Sequence, residues 1–167
     1  MRPSQLDKTE FMAIFSSVFE HSPWIAEAVW ESGVRGHHDS VAGLHQAFGE
    51  VIRNSERERK LALLRAHPEL AVGIASNQQL TEASRREQRG AELDRCSPAE
   101  FSEFQKLNKS YGEKFGFPFI MAVKGCDRHG ILEAFRARLL NTGDEEFQAA
   151  VDQVIRIGRF RIEGLFN

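Results

Sequence analysis

Long apolar runs are scarce in this sequence: Phe117 to Val123 holds seven consecutive apolar residues, far short of the roughly 20 that cross a bilayer. Cysteine is nearly absent. Cys96 and Cys126 fit neither a metal-ligand spacing nor a disulfide framework, so a reducing compartment is expected. Charge of one sign is not in excess either, with 22 Lys and Arg against 24 Asp and Glu and a formal net charge of −2. No global field therefore draws the chain toward nucleic acid or an anionic membrane, and the dispersed basic residues form no nucleic-acid stripe. His21, His37, His38, His45, His67 and His129 make no HExxH or related cluster, so no metal site is expected beyond adventitious binding at His37-His38. No phosphate loop, nucleotide fingerprint or GxSxG elbow occurs. The opening MRPSQLDKTEF has charges where a secretory signal needs an apolar core, and the closing Gly-Leu-Phe-Asn is not the Ser-Lys-Leu peroxisomal address. The cytosol is the expected location.

What is present is an ordinary globular composition, 41% hydrophobic and 28% charged over 167 residues. That length suits a single domain spanning 1–167, which buries roughly 70% of its unfolded surface without staples.

Helix signals dominate the pattern. Phe11, Ile14, Phe15, Val18 and Phe19 recur at helical spacing over residues 7–20. Ser22-Pro23 reads as an N-cap with Pro at the first helical position, opening a helix over Trp24–Glu31. Ser40 caps a helix carrying Leu44, Phe48 and Ile52. Ser55 opens the next, which carries Leu61, Leu63 and Leu64 and ends before Pro68. Residues 70–79 form a small-residue connection, and Thr81 starts a polar helix through about Leu93. Ser97-Pro98-Ala99-Glu100 is a strong start signal for a helix with Phe104, Leu107, Asn108 and Tyr111. Ile131, Leu132, Phe135, Leu139 and Leu140 mark another helix, and a last one runs from about Asp144 through Phe160. No run alternates at period two, so the predicted fold is all-α, a bundle of about eight helices.

The segment KFGFPFIMAVKG, residues 114–125, departs from this pattern. Pro118 removes a backbone donor and disfavours helix at the residue before it. An apolar run of this kind should be buried yet partly irregular, and its backbone polar groups need partners. A small polar ligand can supply them, which makes the segment a candidate pocket wall.

Chemistry-bearing side chains fall in three places. His67 stands where a helix stops, locked to Pro68. It reads either as a C-terminal histidine favoured by the helix dipole or as an acid/base group facing a cleft, and periodicity favours the former. Ser84, Glu87 and Gln88 share one helix face; flanked by Arg85, Arg86 and Arg89, that face reads more readily as solvated. Arg156 and Arg159 share a face, whereas Arg161 lies opposite and can point inward, where it requires an anion from the protein or from a substrate. Trp24 and Trp30 read as core or interface anchors.

Several segments, taken in order, resemble one family: Glu20-His21-Ser22-Pro23-Trp24, Ala66-His67-Pro68-Glu69-Leu70, and Leu80-Thr81 through Ser84 to Glu87-Gln88. Leu107-Asn108 with Tyr111, KFGFPFIMAVKG, Ile131-Leu132 with Arg138-Leu139 and Asn141, and Arg161 complete the set. The chain thus resembles the 2-oxo-4-hydroxy-4-carboxy-5-ureidoimidazoline (OHCU) decarboxylases of urate breakdown, over about residues 7–165. The resemblance implies an all-helical fold, no cofactor, and conversion of OHCU to (S)-allantoin and carbon dioxide. It implies His67, Glu87 and Arg161 as catalytic residues. It implies substrate contacts at Pro68, Ser84, Gln88 and the backbone of Phe119, Ile120, Met121, Ala122 and Val123. A homodimer is also implied; that no nucleic-acid or membrane partner is expected follows from the charge and the short apolar run instead. Two departures stand out: Ala71-Val72 replaces the usual Ala-Gly, and Ala91-Glu92-Leu93-Asp94 replaces Ala-Gly-Leu-Asp.

The implied chemistry is self-consistent. The departing carboxylate of OHCU sits next to a ring imine that accepts the released electrons, so no pyridoxal, thiamine or metal is needed as a sink. His67 is expected to handle a proton at the hydroxyl-bearing carbon, with Glu87 assisting or holding substrate. Arg161 is expected to position substrate charge or to pair with Glu87. The alternatives are a decarboxylase of a related ureido heterocycle and a helical interaction module that kept the fold without activity.

Overall fold

The computed structural model describes residues 1–71 and 80–167. The Val72 departure and most of the connection expected over residues 70–79 lie outside the described residues. Eight α-helices and three short 3-10 turns are found there, and no strand, in agreement with the predicted all-α class. None of these helices is long and apolar enough to cross a membrane. Backbone proximity divides the chain into two compact units, Met1–Ala66 with Val151–Asn167, and His67–Ala150.

The first unit opens with α1 (Lys8–Phe15), shorter than the helix expected over residues 7–20. Asp7 and Glu10 cap it reciprocally, satisfying two orphan N–H groups. Val18 and Phe19 continue the apolar spacing and are buried, but from the turns that follow the helix. Helix α2 (Trp24–Glu31) begins without the expected Ser22 cap: the Ser22 hydroxyl donates instead to Glu20 O at 2.9 Å. Helix α3 (Val41–Asn54) is capped as expected, with the Gly43 N–H donated to Ser40 Oγ at 3.1 Å. Ser55 does not open α4 (Arg57–Ala66), because its hydroxyl donates back to Ile52 O at 2.7 Å and closes α3. A serine hydroxyl can serve either helix end, and the pattern alone does not say which. The core of this unit is aromatic: Phe11 meets Phe15 and Trp30, and Phe48 meets Phe15 and Phe19. Trp24 is covered by the Arg59 guanidinium at 5.1 Å. The C-terminal stretch of α8 (Gly143–Phe166) contributes Val154, Ile155 and Ile162 to the buried set.

The second unit carries α5 (Glu82–Gly90), capped by Thr81 as expected. That helix stops earlier than Leu93, because Glu92 takes a left-handed φ of 59° and a 3-10 turn follows. Helix α6 (Pro98–Phe115) has the predicted capping box, with Ser97 Oγ accepting the Glu100 N–H and Glu100 accepting the Ser97 N–H. Helix α7 (Arg128–Arg138) buries Ile131, Leu132 and Phe135. Leu140, expected to belong to that helix, lies beyond its end and is 85% exposed. Between α6 and α7 the backbone of residues 118–123 is irregular while Phe119, Ile120, Ala122 and Val123 are buried, as the Pro118 argument required.

Candidate active site

The second unit brings the histidine segment and the Ser84/Glu87/Gln88 face together. Ser84 and Gln88 are buried and Glu87 is half-buried, whereas Arg85, Arg86 and Arg89 are exposed. The solvated reading of this face is therefore corrected. Gln88 can be buried because the backbone after His67 gives both ends of its amide a partner. Gln88 Oε1 accepts the Ala71 N–H at 3.0 Å, and its Nε2 donates to Glu69 O at 3.2 Å. From α6, Asn108 Nδ2 donates to Leu70 O at 3.0 Å. Three consecutive residues, Glu69 to Ala71, are thus held by two side-chain amides. Ala71 has φ 60°, a left-handed conformation that L side chains adopt at a cost and that persists where the surroundings fix it.

His67 follows the last residue of α4 and is half-buried, as is Pro68. Its Nδ1 lies 3.1 Å from Pro68 O. A carbonyl only accepts, so this hydrogen bond places the proton of the neutral ring on Nδ1 and the basic lone pair on Nε2. Nε2 is itself buried. A histidine in that tautomer can take a proton through Nε2 and return it.

The apolar segment is fixed from α7 and α8. Arg138 Nη1 donates to Ile120 O at 2.5 Å, while its Nη2 lies 2.8 Å from Glu146 Oε2. Glu146 is fully buried and also accepts from the Tyr111 hydroxyl and from Asn141 Nδ2, the latter at 3.0 Å. Burial alone would raise the Glu146 carboxyl, but the hydrogen bonds from Arg138, Tyr111 and Asn141 outweigh it and hold the group below its usual range. Burial and then the Glu146 hydrogen bond push the Tyr111 phenol well above its ordinary value. Phe119 stacks on Phe135 with centroids 3.9 Å apart, and the Arg138 guanidinium lies 4.5 Å from the Phe119 ring centre. The side chains of the run secure the core, and Ile120 O is already committed to Arg138. Met121 is half-exposed.

Arg161 belongs to the first unit. Its side chain is 7% exposed, its Nη2 lies 3.2 Å from Glu20 Oε1, and its Nη1 donates to Val18 O at 2.9 Å. The inward orientation read from helix geometry holds, and the protein supplies an anion in Glu20. Sequence reasoning quoted Glu20 within a motif and gave it no role, since its partner lies at the other end of the chain. It likewise gave no role to Asn108, Tyr111, Arg138 or Glu146. The available signal was polarity on a buried helical stripe: Asn108 and Tyr111 follow Phe104 at helical spacing. Among the described residues no group of three or more His, Cys, Asp or Glu could hold a metal ion.

Fold and site together define an all-helical protein that presents a histidine at a helix end, with the following backbone gripped by buried amides. The family description "OHCU decarboxylase" matches residues 4–163. The chain is 38% identical over 162 residues to the 2-oxo-4-hydroxy-4-carboxy-5-ureidoimidazoline decarboxylase of Halalkalicoccus jeotgali, covering 97% of this chain and 88% of that protein. It is 36% identical to the uric acid degradation bifunctional protein of Bacillus subtilis, covering 98% of this chain but 32% of that protein. Among solved structures, an (S)-allantoin synthase superposes with a TM-score of 0.74 at 28% identity, over 98% of this chain and 52% of that one. The chain therefore spans about half of that synthase. It belongs to the OHCU decarboxylase family.

Proposed function

We propose that this protein decarboxylates OHCU to (S)-allantoin and carbon dioxide, without a cofactor, in urate degradation. The observation that carries the proposal is the family match across residues 4–163 on a chain whose buried Gln88 is bonded to the His67 segment, with Ser84 buried on the same helix. Loss of carbon dioxide leaves an electron pair that forms a ring carbon–carbon double bond, while the imine pair moves to its nitrogen and is protonated. The hydroxyl then gives up its proton as its C–O bond becomes a carbonyl, and the neighbouring ureido-bearing carbon receives one and becomes the stereocentre. His67 Nε2 is the group assigned to the proton at the hydroxyl-bearing carbon, a role suited by an Nδ1–H fixed on Pro68 O.

Glu87 assists that transfer or holds substrate. Ser84, Gln88, Pro68 and the backbone of residues 119–123 bind the ureido and ring amides, and Arg161 positions negative charge. Gln88 Oε1 and Nε2 each make one bond to the His67 segment, and each keeps capacity for one more. The same reading makes the protein a one-domain homodimer in the cytosol, and its two free cysteines support the cytosolic part of that reading alone. Sedimentation velocity reads the dimer directly.

The test is a coupled assay that feeds urate oxidation and hydroxyisourate hydrolysis into this protein while circular dichroism is recorded. Accelerated appearance of optically active (S)-allantoin is expected, with loss of acceleration in His67→Asn. Racemic product at the spontaneous rate overturns the proposal and favours a helical interaction module.

A further inference from the structure

We infer that Asn108 is a positioning residue for His67, acting with Gln88 as a two-amide clamp on the backbone of Glu69–Ala71. Asn108 is 5% exposed, and its Nδ2 bond to Leu70 O falls between the two bonds that Gln88 makes to Glu69 O and Ala71 N. Each amide comes from a different helix, α6 and α5, so the three peptide units are fixed from two sides. Those units directly follow His67-Pro68, and Pro68 O in turn receives the His67 Nδ1–H. The orientation of the ring is therefore referred, through one rigid prolyl residue, to backbone that the clamp holds.

The amide at position 108 is kept for one hydrogen bond. Asn108 Oδ1 is buried, and among the described residues it has no hydrogen-bond partner. A buried acceptor without a donor is unfavourable, and an apolar side chain would avoid it only by taking this donor from the Leu70 carbonyl. What the amide adds is the donor to Leu70 O. Ala71 in its left-handed conformation is the place where this backbone would relax first once released. A shift of the His67 ring by an ångström is enough to lose much of its catalytic effect.

The inference rests on the reading of His67 as the proton-transfer group, and its test has one arm independent of turnover. In ¹⁵N-imidazole spectra, Asn108→Leu should move the His67 ring signals, with His67→Asn giving the assignment. The His45 signals serve as the control, since His45 is held by Ile155 O in the other unit. On OHCU, Asn108→Leu should lower kcat about tenfold to a hundredfold and leave KM within about threefold. In a His67→Asn background the same substitution should cost nothing more, because it acts through the missing ring. Asn108→Asp should regain activity as pH falls, since a protonated carboxyl can again donate to Leu70 O.

Unmoved His67 signals in Asn108→Leu, or rate losses that multiply in the double variant, overturn the inference. Should Asn108→Leu fail to fold, Asn108→Asp followed across pH makes the same decision. A His67 signal indifferent to protonation of the introduced carboxyl then counts against the clamp. A wild-type protein inert toward OHCU defeats the proposed activity, and the imidazole spectra still decide on the clamp.

Discussion

Arg161 Nη2 and Glu20 Oε1 lie 3.2 Å apart, with their side chains 7% and 3% exposed, and so form a buried ion pair. Removing one member of such a pair takes the opposite charge away from the other in a low-dielectric interior, which typically costs about 3–5 kcal/mol. Arg161→Gln and Glu20→Gln should each lower unfolding free energy by about that much, measured by urea titration. The double variant should recover a large part of it. If Arg161 also positions substrate charge, the double variant regains stability without activity. Recovery of both would reduce Arg161 to a structural role.

Glu146 makes the acid limb of stability predictable. Its folded pKa is lowered, so the native state binds fewer protons than the unfolded chain at this site. The corresponding stability is present above the unfolded value of about 4.3. It disappears as pH falls through the folded value. Thermal midpoints of wild type should therefore drop on acidification more steeply than those of Glu146→Gln, which should start lower and change less.

Tyr111 makes the opposite statement at alkaline pH. Its folded pKa is raised, so the neutral phenol stabilises the fold below the unfolded value of about 10 and this contribution is lost as pH climbs above it. The chain has a single tyrosine, so ultraviolet phenolate absorbance reads this group alone. Native protein should show no phenolate signal until it unfolds. A smooth titration near the ordinary value with helicity intact would contradict the buried hydrogen bond to Glu146.

Gly43 offers a test in which local propensity and packing disagree. Alanine is favoured over glycine inside a helix by about 1 kcal/mol. A Cβ at Gly43, however, would collide with His37 O, a backbone atom that cannot swing away. Gly43→Ala should destabilise by about 1–3 kcal/mol, as overpacking does, seen as a lower urea midpoint with an unchanged slope.

How much of this was legible in the sequence depended on how local the cause was. Ser40, Thr81 and Ser97 cap helices as expected because each donor lies three residues away. Ser22 and Ser55 misled because their hydroxyls turn back to preceding carbonyls, an equally local option that composition does not distinguish. Pro118 announced irregular backbone. The inward face of α5 was ambiguous until its partners were known, since a glutamine beside three arginines is as compatible with water as with a buried peptide group. Pairings such as Glu20 with Arg161 and Asn108 with Leu70 depend on chain return, which no spacing encodes.

Arg138 has a consequence for the order in which this unit comes apart. One guanidinium holds a carbonyl of the apolar segment, covers the Phe119 ring and neutralises Glu146 near the start of α8. Loosening the segment by itself would take a carbonyl partner and an aromatic ring from this guanidinium, and loosening α7 or α8 by itself would strip buried Glu146 of its counter-charge, so opening any one of them alone is penalised. Amide exchange should therefore find residues 119–123, the end of α7 and the first turns of α8 opening as one foldon, with a shared free energy and denaturant slope.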